Sequence, residues 1–177
     1  MPEAEVALDL AWHLLNDPRS RGLAEVSIDG AQVRVAGKTV FRIVEFLRSN
    51  GWHRLEKGGT ADWNGVFGKN GLRLCIDSEP GKGDVRVRIG DRRIVAECKG
   101  GPIAGRKGNP EYPRLREAIG QLMTVKEVLD GDLLVVAVPD TPPFKRRAEE
   151  FRRRPLIAKL GIRFVLVDEH GLDPVIP

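Results

Sequence analysis

The spacing of apolar residues along the chain predicts four helices. Apolar residues recur every three or four positions in segments 3–15, 39–49 and 114–129, as they do on the buried face of an α-helix. A fourth predicted helix, 145–160, carries many arginines and lysines. Pro155 lies within it and is expected to break or kink it, because proline lacks the N–H that a helix interior requires.

Alternating or continuous apolar runs predict six strands. These are 52–55, 72–76, 85–89, 93–99, 133–138 and 163–167. The run 133–138 is apolar throughout, which is typical of a central strand buried on both faces. Residues 57–70 contain four glycines and are predicted to form a loop, in which Trp63 and Phe67 either stack on nucleic-acid bases or anchor the connection. Residues 168–177 are predicted to be a tail.

The order of these elements predicts an α/β fold with a mixed sheet of about five strands flanked by helices. Two connections through helices imply parallel strands towards the C-terminal end of the chain. Residues 1–37 are predicted to form a small appendage, made of the first helix and a β-hairpin over 26–35 that turns at Asp29 and Gly30. Residues 38–177 are predicted to form the main domain.

Composition restricts the class of protein only moderately. The 29 lysines and arginines exceed the 25 acidic residues by four, which permits nucleic-acid binding without demanding it. Cys75 and Cys98 both lie in apolar strand runs, so buried reduced thiols are expected rather than a disulfide, and no Cys/His spacing resembles a zinc site. There is no signal-peptide pattern and no apolar run long enough to span a bilayer, so we expect a cytoplasmic protein.

The predicted hairpin formed by 85–89 and 93–99 brings two carboxylates and an amine to one of its ends. If Gly90 and Asp91 are the turn residues, paired residue numbers sum to 181 and Asp84 lies directly opposite Glu97. Because side chains alternate along a strand, Lys99 projects on the same side as Glu97. The opposite face is apolar and is predicted to face the core; it carries Val85, Val87, Ile89, Ile94, Ala96 and Cys98.

Two carboxylates beside a lysine suit metal-dependent hydrolysis of a phosphodiester. Mg²⁺ prefers oxygen ligands, which Asp84, Glu97 and the backbone carbonyl of Cys98 would supply. Lys99 would lower the pKa of a metal-bound water, orient it, or stabilise the transition state. A Glu-x-Lys pattern alone is common on solvated strands. Three features strengthen the catalytic interpretation: the aligned Asp84, the apolar run 94–96, and the glycines that follow Lys99.

The run Gly-Lys-Gly-Asp84, followed by Ile-Val-Ala-Glu97-Cys-Lys99-Gly, resembles the PD-(D/E)XK nuclease superfamily, in particular its restriction-endonuclease-like and Holliday-junction-resolvase-like members. The resemblance covers about residues 38–168. It implies a three-layer restriction-endonuclease-like core, Asp84 and Glu97 as metal ligands, and Lys99 as the catalytic lysine. The proline usually found before the aspartate is Gly83 here.

The resemblance also directs attention to two helices. The family often has a further acid on its first core helix, but Val40 lies near the expected position. Glu45 is the nearest candidate, although an exposed salt bridge explains it more simply. A glutamine on the helix after the lysine strand often lies near the active site, so Gln121 is a candidate for orienting substrate or water. The tyrosine that some relatives have nearby is replaced by Val125.

The resemblance implies a Mg²⁺- or Mn²⁺-dependent endonuclease acting on DNA, working as a homodimer or with a targeting partner because one chain offers one site. Arg106 and Lys107, in the glycine-rich stretch 100–113, either form a clamp on the DNA backbone or lie in a poorly ordered loop. Asp77 and Glu79 either join the acidic cluster or serve as turn residues. The alternatives are a non-catalytic nucleic-acid-binding or assembly module on the same scaffold, and a hydrolase of small phosphate esters.

Overall fold

A mixed sheet with helices packed on both faces forms the centre of the molecule, and it has nine strands instead of the predicted five or so. The computed structural model describes residues 1–35, 38–101, 111–174 and 176. The helices are α1 (Glu3–Leu15), α2 (Gly30–Val33), α3 (Ile43–Ser49), α4 (Glu111–Leu122), α5 (Pro142–Arg152) and α6 (Pro155–Leu160). The strands are β1 (Ser20–Ser27), β2 (Arg34–Val35), β3 (Lys38–Thr39), β4 (His53–Lys57), β5 (Gly65–Lys69), β6 (Leu72–Asp77), β7 (Val85–Ile89), β8 (Arg92–Cys98), β9 (Leu133–Pro139), β10 (Arg163–Val167) and β11 (Leu172–Asp173).

The strand order in the large sheet is β11-β10-β9-β8-β7-β1-β6-β5-β4, and β2 and β3 form a separate ribbon. β8, β9 and β10 are parallel to one another, as the two helical connections predict. β7 and β8 form the predicted antiparallel hairpin, with Ile89 paired to Arg92 and Val85 paired to Ala96. The predicted register is therefore confirmed, and it is the register that places Asp84 at the same end as Glu97.

Apolar layers pack against both faces of the sheet, and the second layer covers only part of its face. On one face, α1 packs against the alternate residues of β7 and β8 that were predicted to face the core, and each of those residues is almost fully buried. Ile43 and Leu47 of α3 belong to the same apolar cluster. On the other face, α4, α5 and α6 pack over the β8–β10 part of the sheet. The continuous apolar strand β9 contributes to both layers, through Val135 and Ala137 on one side and Val136 and Val138 on the other. It is thus buried on both faces, as predicted.

The predicted N-terminal hairpin over 26–35 is wrong. β1 ends at Ser27, and Gly30 begins the short helix α2 instead of reversing the chain. β1 lies inside the large sheet, parallel to β6 and antiparallel to β7, and α1 is buried along most of its length against the same core. The first 27 residues are therefore an integral part of the sheet and its core, which corrects their interpretation as an appendage.

The predicted loop 57–70 is also wrong in part, because it contains β5. Its glycines allow a close approach between neighbouring strands: a Cβ on Gly65 would lie 2.2 Å from the backbone oxygen of Glu56, and Gly65 has a φ of +147°. Trp63 and Phe67 are 9% and 2% exposed, so they belong to the core and cannot stack on bases. Glycine here permits strand packing rather than flexibility.

Several helices and strands begin or end at residues other than those predicted. The first predicted core helix begins at Ile43 instead of residue 39, and the helix predicted over 114–129 spans Glu111–Leu122. The predicted C-terminal tail contains β11, which pairs with β10. Pro155 separates α5 from α6, as its missing N–H predicts.

Candidate active site

Asp84, Glu97 and Lys99 line one cavity of about 380 Å³, at the end of the β7–β8 hairpin. The cavity also receives residues from α1, α4 and the turn between β6 and β7. Its carboxylate-bearing lining residues are Glu3, Asp29, Glu79, Asp84, Glu97 and Glu117. Lys99 is the basic residue among its described lining, so carboxyl groups outnumber basic groups six to one around the cavity. The structure thus brings together the three residues singled out from the hairpin pattern.

Asp84 is held by strands on both sides. Its backbone oxygen accepts a hydrogen bond from the backbone N–H of Ser27 at 2.8 Å, which extends the β1–β7 pairing. Its carboxylate oxygen Oδ2 accepts a hydrogen bond from the backbone N–H of Cys98 at 2.7 Å. Gly83 precedes it with a φ of +80°, and a Cβ there would lie 3.0 Å from Val95 Cγ1. The glycine therefore lets the chain turn sharply and present the Asp84 carboxylate to the end of β8.

Glu97 projects from β8 into the same end of the cavity and is only 7% exposed. Its side chain lines the same cavity as that of Asp84, and each carboxyl group affects the pKa of the other. Burial, reinforced by the neighbouring Asp84 charge, raises the pKa of Glu97. Burial also raises the pKa of Asp84, although the Cys98 N–H opposes this rise. Two carboxyl groups are thus crowded where ionising both is unfavourable.

Lys99 follows β8 directly and is 3% exposed. Its Nζ lies 3.0 Å from Glu3 Oε1 and 3.3 Å from Glu117 Oε1. Burial alone lowers the pKa of Lys99, but the Glu3 charge and hydrogen bond, together with Asp84, outweigh it, so that the pKa is raised overall. The ammonium is therefore kept charged in a buried position beside the two carboxyl groups.

Glu3 and Glu117 were not identified in the sequence, and they are the helix acids that reach the site. Glu45, the candidate from the sequence, has a side chain that is 63% exposed and pairs with Arg42 at 3.1 Å. It lines a different cavity of about 270 Å³, so it does not join the site. In the sequence, Glu3 is distinguished only by its position in the first turn of an apolar helix. That position brings it to the site only because α1 packs against the sheet.

The glycines after Lys99 explain how α1 reaches the cavity. A Cβ on Gly100 would lie 2.6 Å from the backbone nitrogen of Glu3, so only glycine fits between these segments. The backbone N–H of Gly101 donates a hydrogen bond to the Met1 carbonyl at 2.9 Å. The N-terminal segment thereby crosses the end of β8 and brings Glu3 to Lys99.

Gln121 lies on α4 one turn after Glu117, is exposed, and lines the same cavity. The structure therefore places it beside the site, while its role in orienting substrate or water stays a prediction. Glu79 lines the cavity and pairs with Lys82. Asp77 accepts a hydrogen bond from the backbone N–H of Glu79 at 2.9 Å, so it serves as a turn residue, the second of its two predicted roles. Arg106 and Lys107 fall outside the described residues.

The donor set fits a hard divalent cation that keeps most of its water ligands. Among the residues that the structure describes, no three His, Cys, Asp or Glu side chains form a group arranged to hold a metal ion. Mg²⁺, however, is commonly bound through one or two carboxylates with waters completing its shell, and Asp84 and Glu97 are such a pair. A bound cation would offset the repulsion between these two carboxylates when both ionise. The carbonyl of Cys98 as a third oxygen ligand stays a prediction.

Both cysteines are free thiols, Cys98 fully buried and Cys75 half-buried. In the described ranges, no helix is both long and apolar enough to cross a lipid bilayer. Comparison with known proteins finds no match: no protein-family model, curated protein or solved structure is significantly similar to the chain. Its function must therefore be inferred from the site itself.

Proposed function

We propose that the protein is a Mg²⁺- or Mn²⁺-dependent endonuclease that hydrolyses phosphodiester bonds in DNA, with a PD-(D/E)XK type of site and a restriction-endonuclease-like core. One observation carries the proposal: Asp84, Glu97 and the buried, charged Lys99 line one cavity at the end of the β7–β8 hairpin. One chain offers one such site, so cutting both strands of a duplex in one encounter requires a homodimer or a partner protein.

Each side chain has a role that follows from its surroundings. Asp84 and Glu97 would hold the cation, which when bound activates water and neutralises charge on the phosphate. Lys99 places a fixed positive charge beside the reacting phosphate and stabilises the negative charge that develops there. Glu3 positions that ammonium through its 3.0 Å contact. Gln121 can hydrogen-bond a phosphate oxygen or a water from the exposed side of the cavity.

The acidic lining supports a metal-dependent reaction over a metal-free one. A phosphodiester is already anionic, and six carboxylates surround the cavity with Lys99 as the basic residue in its described lining. Without added positive charge, the potential of the cavity repels the substrate. A divalent cation reverses this, because it binds the acids and the phosphate oxygens together. Strict dependence of cleavage on a divalent cation is therefore expected.

Cleavage of supercoiled plasmid tests the proposal. With Mg²⁺ or Mn²⁺ the wild type is expected to nick or linearise the plasmid, and EDTA is expected to stop it. The near-isosteric variants Asp84→Asn, Glu97→Gln and Lys99→Met are each expected to lower the rate by at least about 100-fold, since each removes a charge that acts on the transition state. Glu45→Gln is the matched control, because it removes an exposed carboxylate outside the cavity.

Two results would contradict the proposal. In the first, the three variants cleave as fast as the wild type while keeping its melting temperature. In the second, the wild type binds DNA but cuts it with neither cation, which would favour the non-catalytic nucleic-acid-binding or assembly module. Cleavage of nucleotides or small phosphate esters in preference to DNA would favour a small-ester hydrolase.

A further inference from the structure

The sheet has an open face beside the cavity. On the side opposite α1, helices α4 to α6 pack over β8, β9 and β10. The neighbouring strands β7, β1 and β6 alternate between buried residues towards α1 and half-exposed or exposed residues on this side. The open face is formed by the second set, which comprises Leu23, Glu25, Ser27, Arg73, Cys75, Asp77, Arg86 and Arg88.

On the open face, acidic residues lie at the strand ends nearest the cavity, and arginines lie at the opposite ends. Ser27 is paired with Asp77, and its backbone N–H bonds to Asp84, so the end nearest the cavity is acidic. Arg88 is four residues further along β7 than Asp84, which corresponds to about 13 Å of strand. On β6, Arg73 is likewise four residues from Asp77, so it lies at the same distal end as Arg88.

The arginines of this region differ in whether their charge is neutralised. Arg86 pairs with Glu25, and Arg93 pairs with both Glu127 and Asp132. Within the described residues, Arg73 and Arg88 take part in no ion pair, and both are at least partly exposed. Arg88 helps to lower the pKa of Asp132, but the direct ion-pair partner of that carboxylate is Arg93. They are separated by β1, hence by two strand spacings of about 10 Å in total. Two guanidinium groups this far apart suit two separate phosphates rather than one.

We infer that the open face binds the phosphate backbone of the nucleic acid whose scissile bond lies in the cavity, with Arg73 and Arg88 each holding one phosphate. The inference rests on the proposed function. The acidic cavity contributes little affinity for a polyanion, so the positive charge that binds the backbone must lie outside it. Guanidinium groups match phosphate geometry, and the mostly polar open face suits a nucleic acid better than an apolar protein surface.

Salt-dependent binding of a fluorescein-labelled DNA duplex in EDTA, where no cleavage is expected, tests the two arginines. The slope of log K against log [NaCl] is expected to fall by about two in the double variant Arg73→Ala/Arg88→Ala, because each phosphate contact contributes about one. Affinity is expected to fall at least tenfold. Arg73→Lys/Arg88→Lys should retain the slope, because it keeps both charges. Arg92→Ala is the matched control, since Arg92 is exposed and alternates with Arg93 along β8.

Cys75 provides an independent readout of the same face. It is paired with Glu25 across the sheet and is half-buried, whereas Cys98 is 0% exposed. Alkylation of Cys75 by N-ethylmaleimide is expected to slow at least threefold when DNA duplex is added, while Cys98 stays unreactive in the folded protein. In the alanine double variant this protection should be lost at the same DNA concentration.

The outcomes separate this inference from the proposed function. Three results would each contradict the proposed binding surface. They are an unchanged salt slope in the alanine double variant, an unchanged alkylation rate of Cys75 with DNA, and no DNA binding by the wild type. If the wild type cuts plasmid and the alanine double variant cuts equally well at limiting DNA, only the binding surface is wrong. If the wild type protects Cys75 but cuts nothing in Mg²⁺ or Mn²⁺, the nuclease proposal fails and the surface stands.

Discussion

The Glu3 carboxylate lies 3.0 Å from the Lys99 ammonium, a contact between residues 96 positions apart in the chain. Glu117 approaches the same ammonium to 3.3 Å. Glu3 belongs to α1 and Glu117 to α4, and these helices pack on opposite faces of the sheet. The buried lysine at the end of β8 therefore links both helical layers to the site.

Replacing Glu3 by glutamine is expected to weaken both stability and cleavage. The substitution leaves a buried ammonium with only the largely exposed Glu117 as an ion-pair partner, which is expected to cost about 1–3 kcal/mol of unfolding free energy. A less firmly held Lys99 is expected to lower kcat by about 10- to 100-fold with a smaller change in KM. Urea denaturation and plasmid-cleavage kinetics measure the two effects.

Glu5→Gln is the control for Glu3→Gln. Glu5 lies in the same first turn of α1, and its pKa is raised by burial, so neutralising it is expected to be neutral or slightly stabilising. Equal losses of cleavage in the two variants would show that the Glu3–Lys99 contact has no special part in the reaction.

Gly100→Ala is expected to disturb the site through the backbone. The new Cβ would lie 2.6 Å from the Glu3 nitrogen and 2.9 Å from the Pro2 carbonyl carbon, so the N-terminal segment must shift. Such overpacking costs about 1–3 kcal/mol. Gly120→Ala is a contrasting variant: its Cβ would meet nothing within 4 Å, and alanine in a helix is favoured by about 0.5–1 kcal/mol. Thermal unfolding should show a lower melting temperature for Gly100→Ala than for the wild type and a higher one for Gly120→Ala. Equal melting temperatures of the two variants would contradict this description of Gly100.

Divalent cations are expected to stabilise the folded protein. At a Mg²⁺ concentration about 100 times the dissociation constant, the gain is about 2.7 kcal/mol, or roughly 5–10 °C in melting temperature for a chain of this size. Glu97→Gln should abolish this shift. In EDTA near pH 8 the same variant should melt above the wild type, because it removes the cost of burying the ionised carboxylate and its repulsion from Asp84. A Mg²⁺-induced shift that survives in Glu97→Gln would place the cation elsewhere.

Asp9 is expected to make stability depend on pH independently of the site. Burial, together with Glu5, Glu169 and Asp168, raises the pKa of Asp9 to about 7. The folded protein then holds a proton that the unfolded chain releases near pH 4, so stability falls as pH rises from about 4 to 7.

Asp9→Asn should remove this part of the pH dependence. At pH 8 it is expected to melt roughly 2–4 °C above the wild type, on the order of 1 kcal/mol once solvent screening of the half-buried group is allowed for. Near pH 4 the two proteins should melt together. A variant that is less stable than the wild type at pH 8 would contradict the raised pKa.

The β7–β8 hairpin could be predicted from the sequence because all of its determinants are local. Alternation with a period of two assigns the faces, and Gly90 and Asp91 fix the turn, so the register follows. The register in turn places Asp84, Glu97 and Lys99 at one end. The two connections through helices were likewise enough to predict that β8, β9 and β10 are parallel.

The position of β1 could not be predicted because it depends on distant partners. β1 pairs with β6 and β7, whose paired residues lie 50 to 69 positions later, and nothing in residues 20–27 specifies them. The local Asp29-Gly30 signal instead favoured a hairpin. Glu3 was missed for the same reason, since only the packing of α1 against this sheet brings it to Lys99.

The hydrogen bond between Gly101 and Met1 has a practical consequence for handling the protein. Residues fused ahead of Met1, such as an affinity tag, would leave the fold beside Gly100 and Gly101, which directly follow Lys99 in the chain. A histidine-rich tag there would also bring metal-chelating side chains close to Asp84 and Glu97. Enzymatic assays on such a fusion should therefore be run only after the tag has been cleaved off.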